Sequence, residues 1–121
     1  MSWVVVLLSE VEEWFLDIAR RDSDTADLIA AAVDKLAADG PTLGRPLVDR
    51  LKGSRHHNLK ELRPGSGGSS EVRILFVFYP DRQAILLVAG DKSGDWKRWY
   101  DTNIKLAEER YDEWLHRRGH E

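Results

Sequence analysis

The chain has 121 residues, of which 42% are hydrophobic and 32% charged, so it predicts one domain over residues 1–121 with a single modest core. It contains no cysteine, which excludes a disulfide framework, a thiolate nucleophile and a cysteine-ligated metal, and fits a cytoplasmic protein. Its first apolar run, Trp3–Leu8, is too short for a signal peptide or a membrane span.

The net charge of −3 is unevenly distributed along the chain. Residues 1–44 carry nine acidic and three basic side chains, whereas residues 45–100 carry eleven basic and six acidic ones. An acidic half and a basic half indicate one face that binds an anion and one that does not, unless solvated charges are clustered by chance.

The chain opens with an apolar strand and an amphipathic helix. Trp3–Leu8 is the predicted strand. Ser9 follows as the predicted N-cap, because Glu12 completes a capping box with it, and apolar residues recur at helical spacing over residues 10–21.

A second helix is predicted over residues 25–39, after a break at residues 22–24. Its apolar stripe can lie against a sheet, and Gly40 ends it, so the two helices form an αα-hairpin. Residues 42–57 have no clear period and predict an ordered loop that carries basic side chains to the edge of the next strand.

Three closely spaced strands are predicted at residues 59–63, 72–79 and 84–89. Strands joined this closely are antiparallel neighbours, because a parallel pair needs a long crossover. The second and third strands are apolar on both faces, so the helical hairpin is expected on one face of the sheet and a final helix, over residues 102–117, on the other. The predicted fold is α+β, with the element order β-α-α-β-β-β-α and a mainly antiparallel sheet.

Basic and histidine side chains collect at the strand ends and in the adjoining loops of this sheet. They are His56, His57, Lys60, Arg63, Arg73, Lys92, Lys97 and Arg98. In an antiparallel pair the end of one strand lies near the start of the next, so Arg63 and Arg73 are expected close together. Two guanidiniums repel each other unless an anion lies between them, and phosphate fits them best.

Such a set suits RNA cleavage by attack of the 2′-hydroxyl. That reaction needs a base, cations around the pentavalent phosphate and an acid for the departing 5′-oxygen. His56 and His57 titrate near neutrality, and Lys60 joins them if the two arginines lower its pKa. For each residue taken alone, solvated surface charge is the alternative.

Two loop motifs do not qualify as sites. Residues 90–95 alternate acidic side chains as a calcium loop does, but lack its closing glutamate. GSGGSS at residues 65–70 lacks the lysine of a P-loop and predicts a flexible hairpin tip. No metal or cofactor is therefore expected. Trp96, Trp99 and Tyr100 either stack on nucleic-acid bases or belong to the core.

The runs LKELR at residues 59–63, VRILFVF at 72–78 and ILLVAG at 85–90 resemble the RelE/ParE superfamily of bacterial toxins, above all its HigB-like, phage-derived branch. LGRPL at residues 43–47 and LKG at 51–53 match that branch as well.

This resemblance implies a type II toxin that enters the ribosomal A site, cuts mRNA without a metal and is held inactive by a cognate antitoxin, a helix-turn-helix DNA-binding protein. It implies no membrane association. By position, it assigns catalytic roles to Lys60, Arg63, Arg73, His57 and Lys92. Substrate contacts fall to Arg55, His56, Asp91, Lys97, Arg98 and Tyr100. The identity of the general base and acid stays open.

Two alternatives stay open on the same fold. One is a ParE-like inhibitor of gyrase, which binds without catalysis, and the Lys60, Arg63 and Arg73 set argues against it. The other is a non-catalytic binding member of a regulatory complex.

Overall fold

The computed structural model describes residues 2–65 and 71–118. They form β1 (Val4–Leu7), α1 (Ser9–Arg21), α2 (Ser23–Asp39), β2 (Val48–Arg50), β3 (Leu59–Leu62), β4 (Val72–Tyr79), β5 (Gln83–Asp91) and α3 (Trp96–Arg117). The predicted α+β class, with a helical hairpin near the N-terminus and a C-terminal helix, is confirmed. The hairpin tip predicted at residues 65–70 lies, from residue 66 on, outside the described residues.

The strands form one sheet in the order β1-β5-β4-β3-β2. Strands β2 to β5 pair antiparallel, as short connections require, whereas β1 pairs parallel with β5. None of the helices within residues 2–65 and 71–118 combines the length and apolar character needed to cross a membrane.

The strand β2 is an addition to the predicted topology, which has a loop over residues 42–57. Its three residues are too few to show a period, so only pairing with β3 defines it. In that pairing Val48 lies opposite Leu62 and Arg50 lies opposite Lys60. The sheet therefore has five strands instead of four, and β2 forms one of its edges.

Each face of the sheet buries a separate apolar layer, as the two-sided pattern of the strands predicts. On one face, Leu62, Ile74 and Phe76 pack with residues of α1 and α2. On the other face, Leu75 and Val77 pack with residues of α3. We call these the α1/α2 face and the α3 face.

The starts of α1 and α3 differ from the predictions, and α2 begins at Ser23, two residues earlier than predicted. Leu8, not Ser9, occupies the N-cap of α1, and the Ser9 hydroxyl bonds instead to the carboxylate of Glu10 at 3.2 Å. Helix α3 begins at Trp96, because the Asp95 carboxylate accepts a hydrogen bond from the backbone N–H of Arg98. The residues from Trp96 to Asp101 therefore belong to a helix and not to a loop.

A bulge in β5 provides an anchor for α3. Leu75 and Phe76 lie opposite Val88 and Leu86, so Leu87 has no partner on β4. Its carbonyl accepts a hydrogen bond from Arg110 Nη1 at 2.8 Å. A side chain of α3 thus satisfies a backbone group that lacks its ladder partner.

A substitution at Gly40 tests whether the end of α2 requires a residue without a side chain. The φ of Gly40 is +57°, and an added Cβ would lie 2.4 Å from Trp3 Nε1. We expect Gly40→Ala to lower the free energy of unfolding by about 2 kcal/mol, because the backbone is strained and Trp3 has to move. Gly44→Ala is the control, since its Cβ meets no atom within 4 Å. Urea unfolding of both variants measures the difference, and equal stabilities would contradict this account.

Candidate functional site

A cleft of about 420 Å³ opens on the α3 face, between strands β2 and β3 and the first turns of α3. It is lined by Arg45, Asp49, Arg50, Leu51, Lys52, Glu61, Arg63, Trp96, Lys97, Tyr100, Asp101 and Ile104. Five of these side chains are cations and three are acids, so the cleft has an excess of positive charge in a chain whose net charge is negative.

Glu61 is the buried carboxylate of this cleft, with only 2% of its surface exposed. Its Oε1 accepts a hydrogen bond from Arg63 Nε at 2.7 Å, and its Oε2 accepts one from the Tyr100 hydroxyl at 2.6 Å. A carboxylate this deeply buried needs such partners, because desolvation of an unpaired charge is very unfavourable. The two bonds connect β3 to the start of α3.

Arg63 has a second carboxylate partner in Asp49, which its Nη2 approaches to 3.2 Å. Burial alone would lower the pKa of Arg63, but the hydrogen bond to Glu61 and the charges of Glu61 and Asp49 raise it. The guanidinium is therefore firmly charged and held in one orientation.

Arg73 reaches the same group of side chains from β4. Its Nη1 donates to the carbonyl of Val72 at 2.8 Å, and its Nε is buried with no hydrogen-bond partner among the described residues. It lies close enough to the Tyr100 hydroxyl to oppose the rise in the pKa of that group. Arg63 and Arg73 thus lie on one face, where Arg63 bonds to Glu61 and Arg73 lies close to Tyr100.

The Tyr100 hydroxyl is a proton donor at neutral pH. Burial, followed by the hydrogen bond and the charge of Glu61, raises the pKa of Tyr100 to about 12. The proton therefore stays on the phenol and points to Glu61. A tyrosine and a carboxylate joined in this way can pass a proton from one to the other.

Lys60 lies on the opposite face of the sheet from Arg63. Successive side chains of a strand alternate between faces, and Lys60 is three residues from Arg63. It lies opposite Arg50 on β2 and Phe76 on β4. The expectation that Arg63 and Arg73 crowd Lys60 is therefore wrong.

The segment with Arg55 and His56 is attached to α3. The Arg55 guanidinium pairs with Asp112, and its backbone N–H donates to Glu108 Oε2 at 2.8 Å. His56 Nε2 lies 2.9 Å from Asp112 Oδ1. The hydrogen bond from Arg55 is the main cause of the lowered pKa of Asp112. These contacts engage both side chains on α3, whereas His57 is exposed, and none of the three lines the cleft.

Asp91 and Lys92 hold the ends of β4 and β5 together. The Asp91 carboxylate accepts hydrogen bonds from the backbone N–H groups of Glu71 and Ser93 at 2.8 and 2.9 Å. Lys92 Nζ lies 3.4 Å from the Glu71 carboxylate. Neither residue lines the cleft, and neither does the exposed Arg98. Among the predicted site residues, Arg63, Lys97 and Tyr100 line it.

Two carboxylates that hold Arg63 in the cleft were missed as candidates. Glu61 and Asp49 are acidic, so a search for clustered cations passes over them. Glu61 could have been found from the sequence, because it lies two residues before Arg63 and therefore on the same face of the strand. Trp96, predicted either to stack on bases or to belong to the core, is 58% exposed and lines the cleft. In residues 2–65 and 71–118, no three histidine or acidic side chains are grouped to hold a metal ion.

The elevated pKa of Tyr100 can be measured by alkaline titration. We expect the ultraviolet absorbance of wild type to show a phenol that ionises near pH 12 and is lost in Tyr100→Phe. Since the unfolded chain ionises near 10.0, the contribution of Tyr100 to stability is complete below that pH and is lost as pH rises to about 12. Ionisation of Tyr100 near pH 10 in the folded protein would rule out the buried hydrogen bond from its hydroxyl to Glu61.

Removal of the Glu61 carboxylate should weaken the fold. Glu61→Ala leaves the Tyr100 hydroxyl and the Arg63 guanidinium without a shared partner, so we expect a loss of about 2 kcal/mol in the free energy of unfolding. Glu13→Ala removes an exposed carboxylate from α1 and should change stability by less than about 0.5 kcal/mol. Thermal or urea unfolding compares the two, and similar losses would show that Glu61 has no special role.

The sequence matches, over residues 16–112, a family model described as "Phage derived protein Gp49-like". The chain is 51% identical over 111 residues to "Putative toxin HigB3" of Mycobacterium tuberculosis (strain ATCC 25618 / H37Rv), covering 92% of each chain. It is 51% identical over 118 residues to "Putative toxin HigB2" of the same strain, covering 92% of this chain but 59% of that relative.

Among solved structures, the fold matches a double arginine-to-alanine mutant of the E. coli toxin RelE in the free state. The TM-score is 0.57, with 9% sequence identity over 79% of this chain and 90% of that one. At this identity the match shows a shared fold alone, and the predicted RelE-like architecture is confirmed. With a family match over residues 16–112 and relatives half identical to it, the chain belongs to the family of Gp49-like phage-derived proteins, as its HigB-like motifs predict.

Proposed function

We propose that the chain is the toxin of a type II toxin–antitoxin system and cuts mRNA on the ribosome. The names of its relatives and the fold it shares with RelE support the role of toxin. The observation that carries the nuclease role is the convergence of Arg63 and Arg73 on the Glu61–Tyr100 pair beside a basic cleft.

The cleft has the chemistry to hold a phosphodiester. Arg63, Lys52 and Lys97 line it and attract the negatively charged backbone. Arg73 lies behind this lining, close to the Tyr100 hydroxyl, and adds its positive charge to the site. Trp96, exposed at the mouth, offers a flat surface on which a base stacks.

Glu61 and Tyr100 are the proposed route for the proton of the 2′-hydroxyl. Tyr100 lines the cleft, whereas Glu61 is nearly inaccessible behind it. Tyr100 accepts the 2′-hydroxyl proton as it gives its own proton to Glu61 across the 2.6 Å hydrogen bond. The 2′-oxygen then bonds to phosphorus as the bond from phosphorus to the 5′-oxygen breaks, which gives a 2′,3′-cyclic phosphate, and the departing 5′-oxygen takes a proton from water. The charge that develops on the phosphate lies near Arg63 and Arg73.

The proposal revises the set of residues inferred from sequence. It retains Arg63, Arg73, Lys97 and Tyr100 and adds Glu61. Arg73 does not line the cleft but is retained because it lies close to the Tyr100 hydroxyl. No chemistry is assigned to the predicted residues that neither line the cleft nor lie close to Tyr100, namely Arg55, His56, His57, Asp91, Lys92 and Arg98. The expected partners are the ribosome with its message, in the cytoplasm, and a cognate antitoxin with a helix-turn-helix fold.

Regulated expression in bacterial cells tests the nuclease role. We expect wild type to arrest growth and to cut translated messages, and Arg73→Ala to lower the cleavage rate by about 10²-fold or more, because a cation beside the transition state is lost. Arg20→Ala is the control: it removes an exposed cation that pairs with Asp17 on α1, and it should retain full activity. Primer extension on a translated message measures cleavage.

Other outcomes would assign the protein differently. If Arg73→Ala cut messages as fast as wild type, the role given to Arg73 would be wrong. Growth arrest with DNA-damage signalling and intact messages would indicate inhibition of gyrase. Wild-type protein that binds RNA without arrest or cleavage would be a non-catalytic member of the family.

A further inference from the structure

Two cations face each other across the edge of the sheet, on the side away from the cleft floor. Arg50 on β2 and Lys60 on β3 are direct partners in the antiparallel register, so their side chains leave the same face. Partners of this kind have Cβ atoms about 5 Å apart, and like charges at that separation destabilise the pair.

Neither cation has a carboxylate partner among the described residues. This differs from their neighbours, since Arg45 pairs with Asp49 at 3.2 Å and Arg63 pairs with Glu61 and Asp49. The carboxylates of this edge therefore point to the α3 face and leave Arg50 and Lys60 unneutralised. An external anion bound between Arg50 and Lys60 would neutralise their charges.

The space beside this pair is a second cleft, of about 370 Å³, on the α1/α2 side of the sheet edge. Arg45, Asp49 and Arg50 line both this cleft and the one that holds Glu61. The two clefts are therefore continuous over the short edge strand β2. A polyanion with several phosphates can therefore contact the cations of both clefts at once, whereas a single small anion can contact those of only one.

We propose that Arg50 and Lys60 bind a phosphate of the same RNA strand whose scissile phosphate lies in the first cleft. This inference rests on the proposed nuclease function and adds a second backbone contact to it. A nucleic-acid strand is favoured over an acidic protein segment because a row of cations extends from the first cleft into the second, as the regularly spaced phosphates of a strand require. The row consists of Lys97, Lys52 and Arg63 in the first cleft and Arg50 and Lys60 in the second. Lys60 is thus a substrate-binding residue and not a catalytic one.

The test is the salt dependence of RNA binding by the double variant Arg50→Ser, Lys60→Ser. The probe is a single-stranded oligoribonucleotide of mixed sequence with 2′-O-methyl groups, which cannot be cut by 2′-hydroxyl attack. One neutralised phosphate on a single strand contributes about 0.7 to the slope of log affinity against log salt, so we expect the slope to decrease by about 0.7. Arg50→Lys, Lys60→Arg keeps both charges and should restore the wild-type slope. On programmed ribosomes, KM for cleavage should rise by a larger factor than the maximal rate falls.

The control variant is Arg20→Ser, Lys105→Ser, which removes the same charge from α1 and α3 and should leave the slope unchanged. The serine pair should unfold at the wild-type temperature or above it, because a repulsive pair is removed. An unchanged slope in a protein that still cuts mRNA overturns the second site alone. Absence of RNA binding and cleavage in wild type overturns the proposed function as well. If the serine variant lost binding only to ribosomes without message, the pair would contact ribosomal RNA. If it lost binding only to the antitoxin, the pair would contact protein. Either result overturns the proposal.

Discussion

The buried carboxylate of Glu61 is the interaction on which the cleft depends. A charge with 2% of its surface exposed is tolerated only when every oxygen has a partner, and here the partners come from two different segments. Arg63 follows on the same edge of the sheet, and Tyr100 belongs to α3. Asp49 then adds β2 through Arg63. One hydrogen-bonded group therefore fixes the separation of the sheet edge and the helix, which is the width of the cleft.

The strands and the helical hairpin could be predicted because their patterns are local. The bounds of β4 match the prediction to the residue, since a run of β-branched and aromatic side chains is delimited by turn residues on the C-terminal side. The early start of α3 and the existence of β2 could not be predicted in the same way. Asp101-Thr102 has the composition of an N-cap, so the sequence favours a later helix start than the actual N-cap at Asp95. β2 is a strand only because it pairs with β3.

The site could be predicted in part. Charge and strand order were sufficient to bring Arg63 and Arg73 to one face. The separation of Lys60 from them was also readable, because residues three apart in a strand point to opposite faces. The attachment of Arg55 and His56 to α3 was not, since Glu108 and Asp112 lie more than fifty residues further along the chain. Pairings of this kind follow from how the helix lies on the sheet, which no local pattern encodes.

The parallel pairing of β1 with β5 has a consequence for the order in which the protein forms. Val4 at one end of the chain has its register partner at Gln83, and the α1–α2 hairpin covers a face built largely by β3, β4 and β5. During synthesis the N-terminal strand and helices leave the ribosome with their apolar sides unpartnered. The sheet edge and α3 that make the basic cleft can come together only after α3 has been synthesised, so a chain that stops before α3 has no cleft.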